Sequence, residues 1–230
     1  VENSGGKRKV EEVVESKNSS YIYNMKISYA ITVCNELKEV KRLVNFLLSH
    51  KREQDEIVVL FDKQNGSQEV REYVSDLPKE IVIQRSEFKG HFADWKNLLT
   101  SHCTGDYIMQ LDADEIPSED LIKGLPFILE QNPETDMYLV PRVNTVEGLT
   151  QEHIQKWGWK VNEKGWVNFP DFQMRVYRND GNIKWKNKVH EVLEGFKNYS
   201  AFPIEDEEFV IYHPKTIDRQ ERQNNYYDTL

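Results

Sequence analysis

Gly105-Asp106-Tyr107-Ile108-Met109-Gln110-Leu111-Asp112-Ala113-Asp114-Glu115 runs an apolar stretch directly into three carboxylates. Tyr107 to Leu111 has the β-branched and aromatic content of an interior strand, and Pro117 with Ser118 stops it just past the acids. On an extended chain, residues at i and i+2 point the same way, so Asp112 and Asp114 repel each other. A cation resolves that repulsion. All-oxygen ligands suit a hard divalent ion, and magnesium or manganese keeps coordination positions for phosphate oxygens beside protein carboxylates. The alternative is a solvated acidic loop in an acidic chain.

Upstream, the pattern repeats a strand followed by a helix. Ile27 to Val33 is β-branched and strand-like, and Asn35-Glu36 then opens a segment with Leu37, Val40, Leu43, Val44 and Leu47 at helical spacing. Glu56 to Phe61 forms a second strand that ends in the turn-rich Asp62-Lys63-Gln64-Asn65-Gly66-Ser67, and Val70, Tyr73, Val74 and Leu77 mark the next helix. Ile81 to Ile83 gives a third short strand, with Phe92, Trp95, Leu98 and Leu99 on the helix after it. Such alternation predicts a parallel sheet of right-handed crossovers, which binds ligands outside the carboxyl ends of its strands. Asn35, Asp62, Arg85 and Asp112 all fall at those ends.

Downstream the pattern changes. Leu121 to Leu129 reads as a helix and Met137 to Val143 as a strand, followed by an irregular stretch with Trp157, Trp159 and Trp166. These tryptophans are either core or an aromatic wall for a sugar face. Phe172 to Tyr177 and Ile183 to Val189 read as strands around the turn at Asn179-Asp180-Gly181-Asn182, and Glu208 to Tyr212 as another, so this half is expected to be antiparallel. From Thr216 the polar tail is expected to form a short helix, with Tyr226 and Tyr227 folding back.

With 230 residues and 27.2 kDa, the chain fits one domain. It is 38% hydrophobic and 30% charged, and no apolar run approaches the about 20 residues of a membrane helix, so no transmembrane segment is expected. A net charge of −9 argues against nucleic-acid partners. Cys34 and Cys103 form no metal-type cluster, which favours a reducing, cytoplasmic setting without a secretion signal. Residues 1–24 are polar, with no helical or strand periodicity long enough for a core, and are expected to be an extension without function. A single domain over 25–218 then carries the activity, and 219–230 is a tail.

Leu111-Asp112-Ala113-Asp114-Glu115, standing behind three strand–helix units, makes the chain similar to the family 2 glycosyltransferases of the GT-A fold from about Lys26 to Thr216. It most resembles the short bacterial and viral enzymes similar to lipopolysaccharide-core glycosyltransferases. Their Arg-x-x-Arg strand is Arg175-Val176-Tyr177-Arg178 here, and their Val-His-Glu triplet is Val189-His190-Glu191. The resemblance implies an α/β fold with a Rossmann-like, mostly parallel sheet flanked by helices. Residues 25–115 would form its nucleotide-binding half and 116–218 an antiparallel acceptor half.

The resemblance further implies an inverting transfer from a UDP-, GDP- or dTDP-sugar, with Mn²⁺ or Mg²⁺, to a glycan, lipid-linked or protein acceptor. Val33, Asn35 and Glu36 would border the nucleotide, Asp62 would accept from the base, and Lys96 would lie near the base or diphosphate. Asp114 would be the main metal ligand, Asp112 would face ribose or the metal through water, and His213 would complete the metal site. Glu191 would be the catalytic base. Two departures from the family pattern stand out: its usual Asp-Asp-Gly-Ser loop is longer here, at Asp62 to Ser67, and His190 replaces the acid before the base.

Glycosyl transfer needs a neutralised leaving diphosphate and a base for the attacking hydroxyl. Against Glu191 as base stand a surface pairing with Lys188 and the rival Asp171 in Phe169-Pro170-Asp171-Phe172. His190 is read as support for Glu191, Glu205-Asp206 as a solvated acidic turn, and Asp62 alternatively as a cap of its own turn. A nucleotidyltransferase would carry a Gly-rich basic loop after the first strand, which Cys34-Asn35-Glu36-Leu37 lacks. A phosphatase of the Asp-x-Asp type would place its acids on the first strand. A non-catalytic carbohydrate-binding protein would account for the tryptophans but leaves the strand-end acids without purpose.

Overall fold

The computed structural model describes residues 25–204 and 207–227. The predicted extension over 1–24, the acidic pair Glu205-Asp206 and the side chains of Tyr226 and Tyr227 lie outside the described residues.

Strands and helices alternate through the first half as β1 (Ile27–Val33), α1 (Leu37–His50), β2 (Glu56–Asp62), α2 (Gln68–Ser75), β3 (Val82–Ser86), α3 (Phe92–Thr100) and β4 (Tyr107–Asp112). The four strands are parallel, in the order β3-β2-β1-β4. Both faces of this sheet are covered, which is why its strands read as nearly continuous apolar runs. Ile27, Tyr29 and Ile31 pack with Val40, Leu43, Val44 and Leu47 of α1 on one face. Ala30, Val58, Leu60 and Ile108 pack with Trp95 and Leu99 of α3 on the other. The fully buried α1 residues follow i, i+3, i+4, i+7 spacing, and each such side chain contributes about 1.5–3 kcal/mol of burial. At the opposite edge from the strand-end acids, Glu56 ties three segments together. It accepts from Lys26 Nζ at 2.7 Å, Ser28 Oγ at 2.5 Å and the Thr104 amide at 2.6 Å.

The second half comprises β5 (Ile116–Pro117), α4 (Glu119–Gln131), β6 (Met137–Glu147), α5 (Gln151–Trp157), β7 (Val167–Arg178), β8 (Lys184–Lys186), β9 (Val192–Glu194), β10 (Tyr199–Ala201), β11 (Ile211–Thr216) and α6 (Ile217–Tyr227). The sheet continues from β4 as β7-β6-β11-β5. β7 runs antiparallel to both β4 and β6, whereas β11 and β10 run parallel to β6. The expectation of an antiparallel second half is thus corrected to a mixed one.

Three further differences have physical causes. The stretch read as irregular contains α5, started by a capping box in which Thr150 and His153 satisfy each other's backbone amides. Only Lys184–Lys186 of the predicted Ile183–Val189 strand is extended, and it pairs with β9 rather than β7. Asn97 of α3 accounts for this, because its amide donates to the Trp185 carbonyl and accepts from the Trp185 amide, both at 2.9 Å, pinning β8 onto the helix. The last strand is displaced toward the C-terminus, so that His213 lies inside β11 rather than at its end.

Candidate active site

The carboxyl ends of β1, β2 and β4 and the facing parts of β6, β7 and β11 enclose a cleft of about 980 Å³. Val33, Asn35, Glu36, Asp62, Lys96 and Asp112 line it from the parallel half. Asp114, just past β4, joins them, and Trp159, Asp171, Glu191 and His213 complete the set from the second half. Arg85, Trp157 and Trp166 do not line it. Arg85, expected at a nucleotide-binding strand end, is exposed on β3, where its guanidinium donates to Ser75 Oγ at 3.1 Å. The tryptophans separate as well: Trp157 backs Trp159 with ring centroids 4.6 Å apart, while Trp166 packs on Phe169.

Asp114 sits at the floor with one oxygen, Oδ2, 3.1 Å from His213 Nε2 and 3.2 Å from Arg219 Nη2. Burial alone would raise its carboxyl pKa, but the hydrogen bond and charge of His213 and the charge of Arg219 outweigh burial and hold it well below the usual range. His213 Nδ1 lies 2.8 Å from Asn144 Oδ1. One ionised carboxylate and one imidazole nitrogen converging on the same point fit a divalent ion that leaves its remaining positions to phosphate oxygens. Among the described residues no group of three or more His, Cys, Asp or Glu side chains converges to hold a metal. Asp112, expected as a further ligand, is drawn elsewhere. Its Oδ2 accepts from Arg175 at 2.8 Å, and its Oδ1 accepts from Thr32 and Gln110, each at 3.2 Å. Burial opposes ionisation of Asp112, yet Lys96 and Arg175 hold its pKa far below the usual carboxylate range.

The third acid of the stretch turns inward. Glu115 is fully buried and accepts from Arg175 at 2.6 Å and Arg142 at 3.0 Å through Oε1. Charges alternate from Asp112 to Arg175, Glu115, Arg142 and Asp171, linking the two sides of the cleft. Asp171 accepts from Arg142 Nε and Nη2, Asn144 Nδ2 and Gln173 Nε2 at 2.7–3.0 Å. Burial opposes its ionisation, but Arg142 and these amides lower its pKa overall, which makes it a weak proton acceptor.

Glu191 meets Lys96 Nζ at 2.5 Å. Lys96 is buried, lies 4.6 Å above the Trp185 ring and reaches within 3.9 Å of Asp112. His190, just before Glu191, takes a left-handed backbone at φ 53°, a conformation that costs a non-glycine residue about 1–2 kcal/mol. Asp62 is mostly occupied as a turn cap. Its Oδ1 accepts the amides of Gln64 and Asn65 and its Oδ2 accepts Asn65 Nδ2, at 2.8–3.3 Å. Gly66 is required in that turn, because a Cβ would collide with the Phe61 ring and the Asp62 carbonyl. Cys34 and Cys103 are free thiols, and burial first, then Glu36 and Asp62, push the Cys34 thiol up to about 12.

Residues 28–206 match the sequence profile of Glycosyl transferase family 2. The chain belongs to glycosyl transferase family 2. Among solved structures, this family 2 chain is similar to S. aureus TarS 1-349, at TM-score 0.57 and 16% identity over 83% of this chain and 60% of that one. The same protein in complex with UDP-GlcNAc superposes at TM-score 0.58 and 16% identity over 83% and 59% of the two chains. In complex with UDP it gives TM-score 0.57 and 15% identity over 83% and 60%. This chain therefore spans about 60% of the length of those structures. Among the described residues of the family 2 chain, no helix is long and apolar enough to cross a membrane.

Sequence reading of the family 2 site missed Arg142, Asn144, Lys215 and Arg219, all of which line the cleft. Arg142 and Asn144 did carry a signal, since polar residues at i and i+2 in the apolar β6 mark one wetted face. Arg219 lies in the segment expected to be a tail. It begins the first turns of α6 and reaches Glu36 at 3.5 Å and Glu39 at 3.2 Å as well as Asp114, so α6 belongs to the cleft wall.

Proposed function

We propose that this family 2 chain transfers a sugar from a nucleotide-diphosphate donor to an acceptor hydroxyl with inversion. The observation that carries the reading is the convergence of Asp114 and His213 at the parallel sheet's carboxyl edge, with Glu191 entering the same cleft from the second half. In this reading residues 25–115 hold the nucleotide and 116–218 the acceptor. Val33, Asn35 and Glu36 flank the nucleotide, and Asp62 shapes the loop beside it. Asp114 and His213 hold Mn²⁺ or Mg²⁺, which when bound neutralises the leaving diphosphate. Lys215 and Arg219 add positive charge beside that point.

Glu191 accepts the proton of the attacking hydroxyl, and Lys96 orients it until acceptor binding displaces the ion pair. Asp171, with its donors already in place, serves better as a fixed hydrogen-bond acceptor than as a base. Trp159 offers an apolar face to the acceptor sugar. Free Cys34 and Cys103 favour a cytoplasmic setting.

The test is a thermal-shift screen of UDP-, GDP- and dTDP-sugars with and without Mn²⁺, beginning with UDP-GlcNAc because TarS has been solved with it. The expected result is a stabilised melt that needs both sugar nucleotide and ion, with an inverted anomer in the product of the matching donor. Equal stabilisation with and without ion, or a retained anomer, would overturn the reading.

A further inference from the structure

Asn144 and His213 are direct register partners on the parallel strands β6 and β11. The Asn144 amide stands between two groups, Asp171 Oδ2 at 2.8 Å and His213 Nδ1 at 2.8 Å. Its orientation follows from the first of these. Asp171 faces the Arg142 guanidinium at 2.7 Å and is an acceptor only, so the amide must turn its NH₂ toward Asp171 and its oxygen toward His213. An amide oxygen cannot donate, so the hydrogen in the second contact belongs to His213 Nδ1. With Nδ1 spoken for, the neutral ring presents a bare Nε2 lone pair, and that atom points at Asp114 Oδ2, 3.1 Å away. Two lone pairs facing each other at this distance repel unless a proton or a metal ion stands between them.

We infer that Asn144, oriented by Asp171, is a positioning residue that fixes His213 as the Nδ1–H tautomer and so aims its Nε2 lone pair at the metal position beside Asp114. The inference rests on the metal-dependent reading above and deepens it. It gives Asp171 a task other than proton transfer, and it links the acceptor side of the cleft to the diphosphate side through one amide. Hydrogen-bonded partners of metal-ligating histidines act in this way generally, setting the tautomer and ring orientation, and their loss weakens metal affinity about 10–100-fold.

The experiment uses the whole chain labelled with ¹⁵N-histidine. Long-range ¹H–¹⁵N correlation with diamagnetic Mg²⁺ and UDP present, at a pH where the ring is neutral, reads the His213 tautomer directly. Mn²⁺ titration by electron paramagnetic resonance in the presence of UDP reads affinity. The parent is expected to show the Nδ1–H form. Asn144→Leu is expected to lose that form and to weaken Mn²⁺ binding about 10–100-fold. Exchanging the partners in the double variant Asn144→Asp with Asp171→Asn keeps an acceptor at position 144 toward Nδ1 and an amide donor at position 171 toward residue 144, so both readouts should recover toward the parent. A parent spectrum in the Nε2–H form, or a folded Asn144→Leu variant with parental tautomer and affinity, would overturn the inference. A parent that binds no Mn²⁺ while showing the Nδ1–H form would instead overturn the metal-dependent reading, so the two failures are distinguishable.

Discussion

Lys96 of α3 and Glu191 of the loop before β9 are joined by a 2.5 Å ion pair within the cleft. The pair ties the first half of the chain to the second, and Lys96 also lies 3.9 Å from Asp112. In the proposed role of proton acceptor, Glu191 would act only in the transition state. Glu191→Gln should therefore lower single-turnover transfer about 10²–10⁴-fold while UDP affinity is kept. A parental rate in Glu191→Gln together with a collapse in Asp171→Asn would move the base to Asp171.

One oxygen of Asp114, Oδ2, lies 3.1 Å from His213 Nε2 and 3.2 Å from Arg219 Nη2, so both groups meet at this carboxylate. Asp114→Ala should abolish ion-dependent binding of UDP and leave the circular dichroism spectrum unchanged. Calorimetric titration with and without Mn²⁺ makes the comparison, and undiminished ion-dependent binding would remove Asp114 from the site.

Trp159 faces the cleft whereas Trp166 packs on Phe169 outside it. Trp159→Ala should raise the acceptor KM with the donor KM nearly constant, and Trp166→Ala should leave the acceptor KM where it was. The reverse ranking would show that the acceptor lies along the other aromatic pair.

Arg175 is buried between Gln110, Asp112 and Glu115. Arg175→Met removes one partner of a buried charge network and leaves Glu115 with Arg142 alone. Urea denaturation should show a loss of about 3–5 kcal/mol. A loss below about 1 kcal/mol, the range of an exposed pair, would mean that the network is solvated.

Glu56 provides a pH test remote from the cleft. Burial alone would raise its pKa, but hydrogen bonds from Lys26, Ser28 and Thr104 bring it down from 4.5 to about 2. A depressed carboxylate stabilises the fold above its unfolded pKa, and that contribution is lost as pH falls through the folded value. The stability gap between the parent and Glu56→Gln, on the order of 2 kcal/mol at pH 7, should shrink between pH 4.5 and 2. A gap independent of pH would assign the effect to packing.

The parallel half was legible because each of its elements announces itself locally. The α1 stripe of Val40, Leu43, Val44 and Leu47 and the two-faced burial of β1 and β2 need no knowledge of distant residues. The end of β4 at Asp112 was legible for the same reason, since the apolar run meets the acids there. What stayed hidden depends on long-range partners. Glu115 stood in the sequence only as the third carboxylate of the stretch, and it is Arg142 and Arg175, 27 and 60 residues away, that make it a buried counter-ion. Likewise β8 was misjudged because Asn97, 88 residues earlier in the chain, holds Trp185 and decides its pairing.

The helix α6 is fastened to the cleft through Arg219, which shares Asp114 Oδ2 with His213 and also reaches Glu36 and Glu39. A divalent ion arriving at Asp114 would claim the same atom. Occupancy of the cleft and attachment of the last helix therefore share one carboxylate among several anchors, so the rate at which a protease trims the chain beyond Thr216 is expected to change when the cleft is filled.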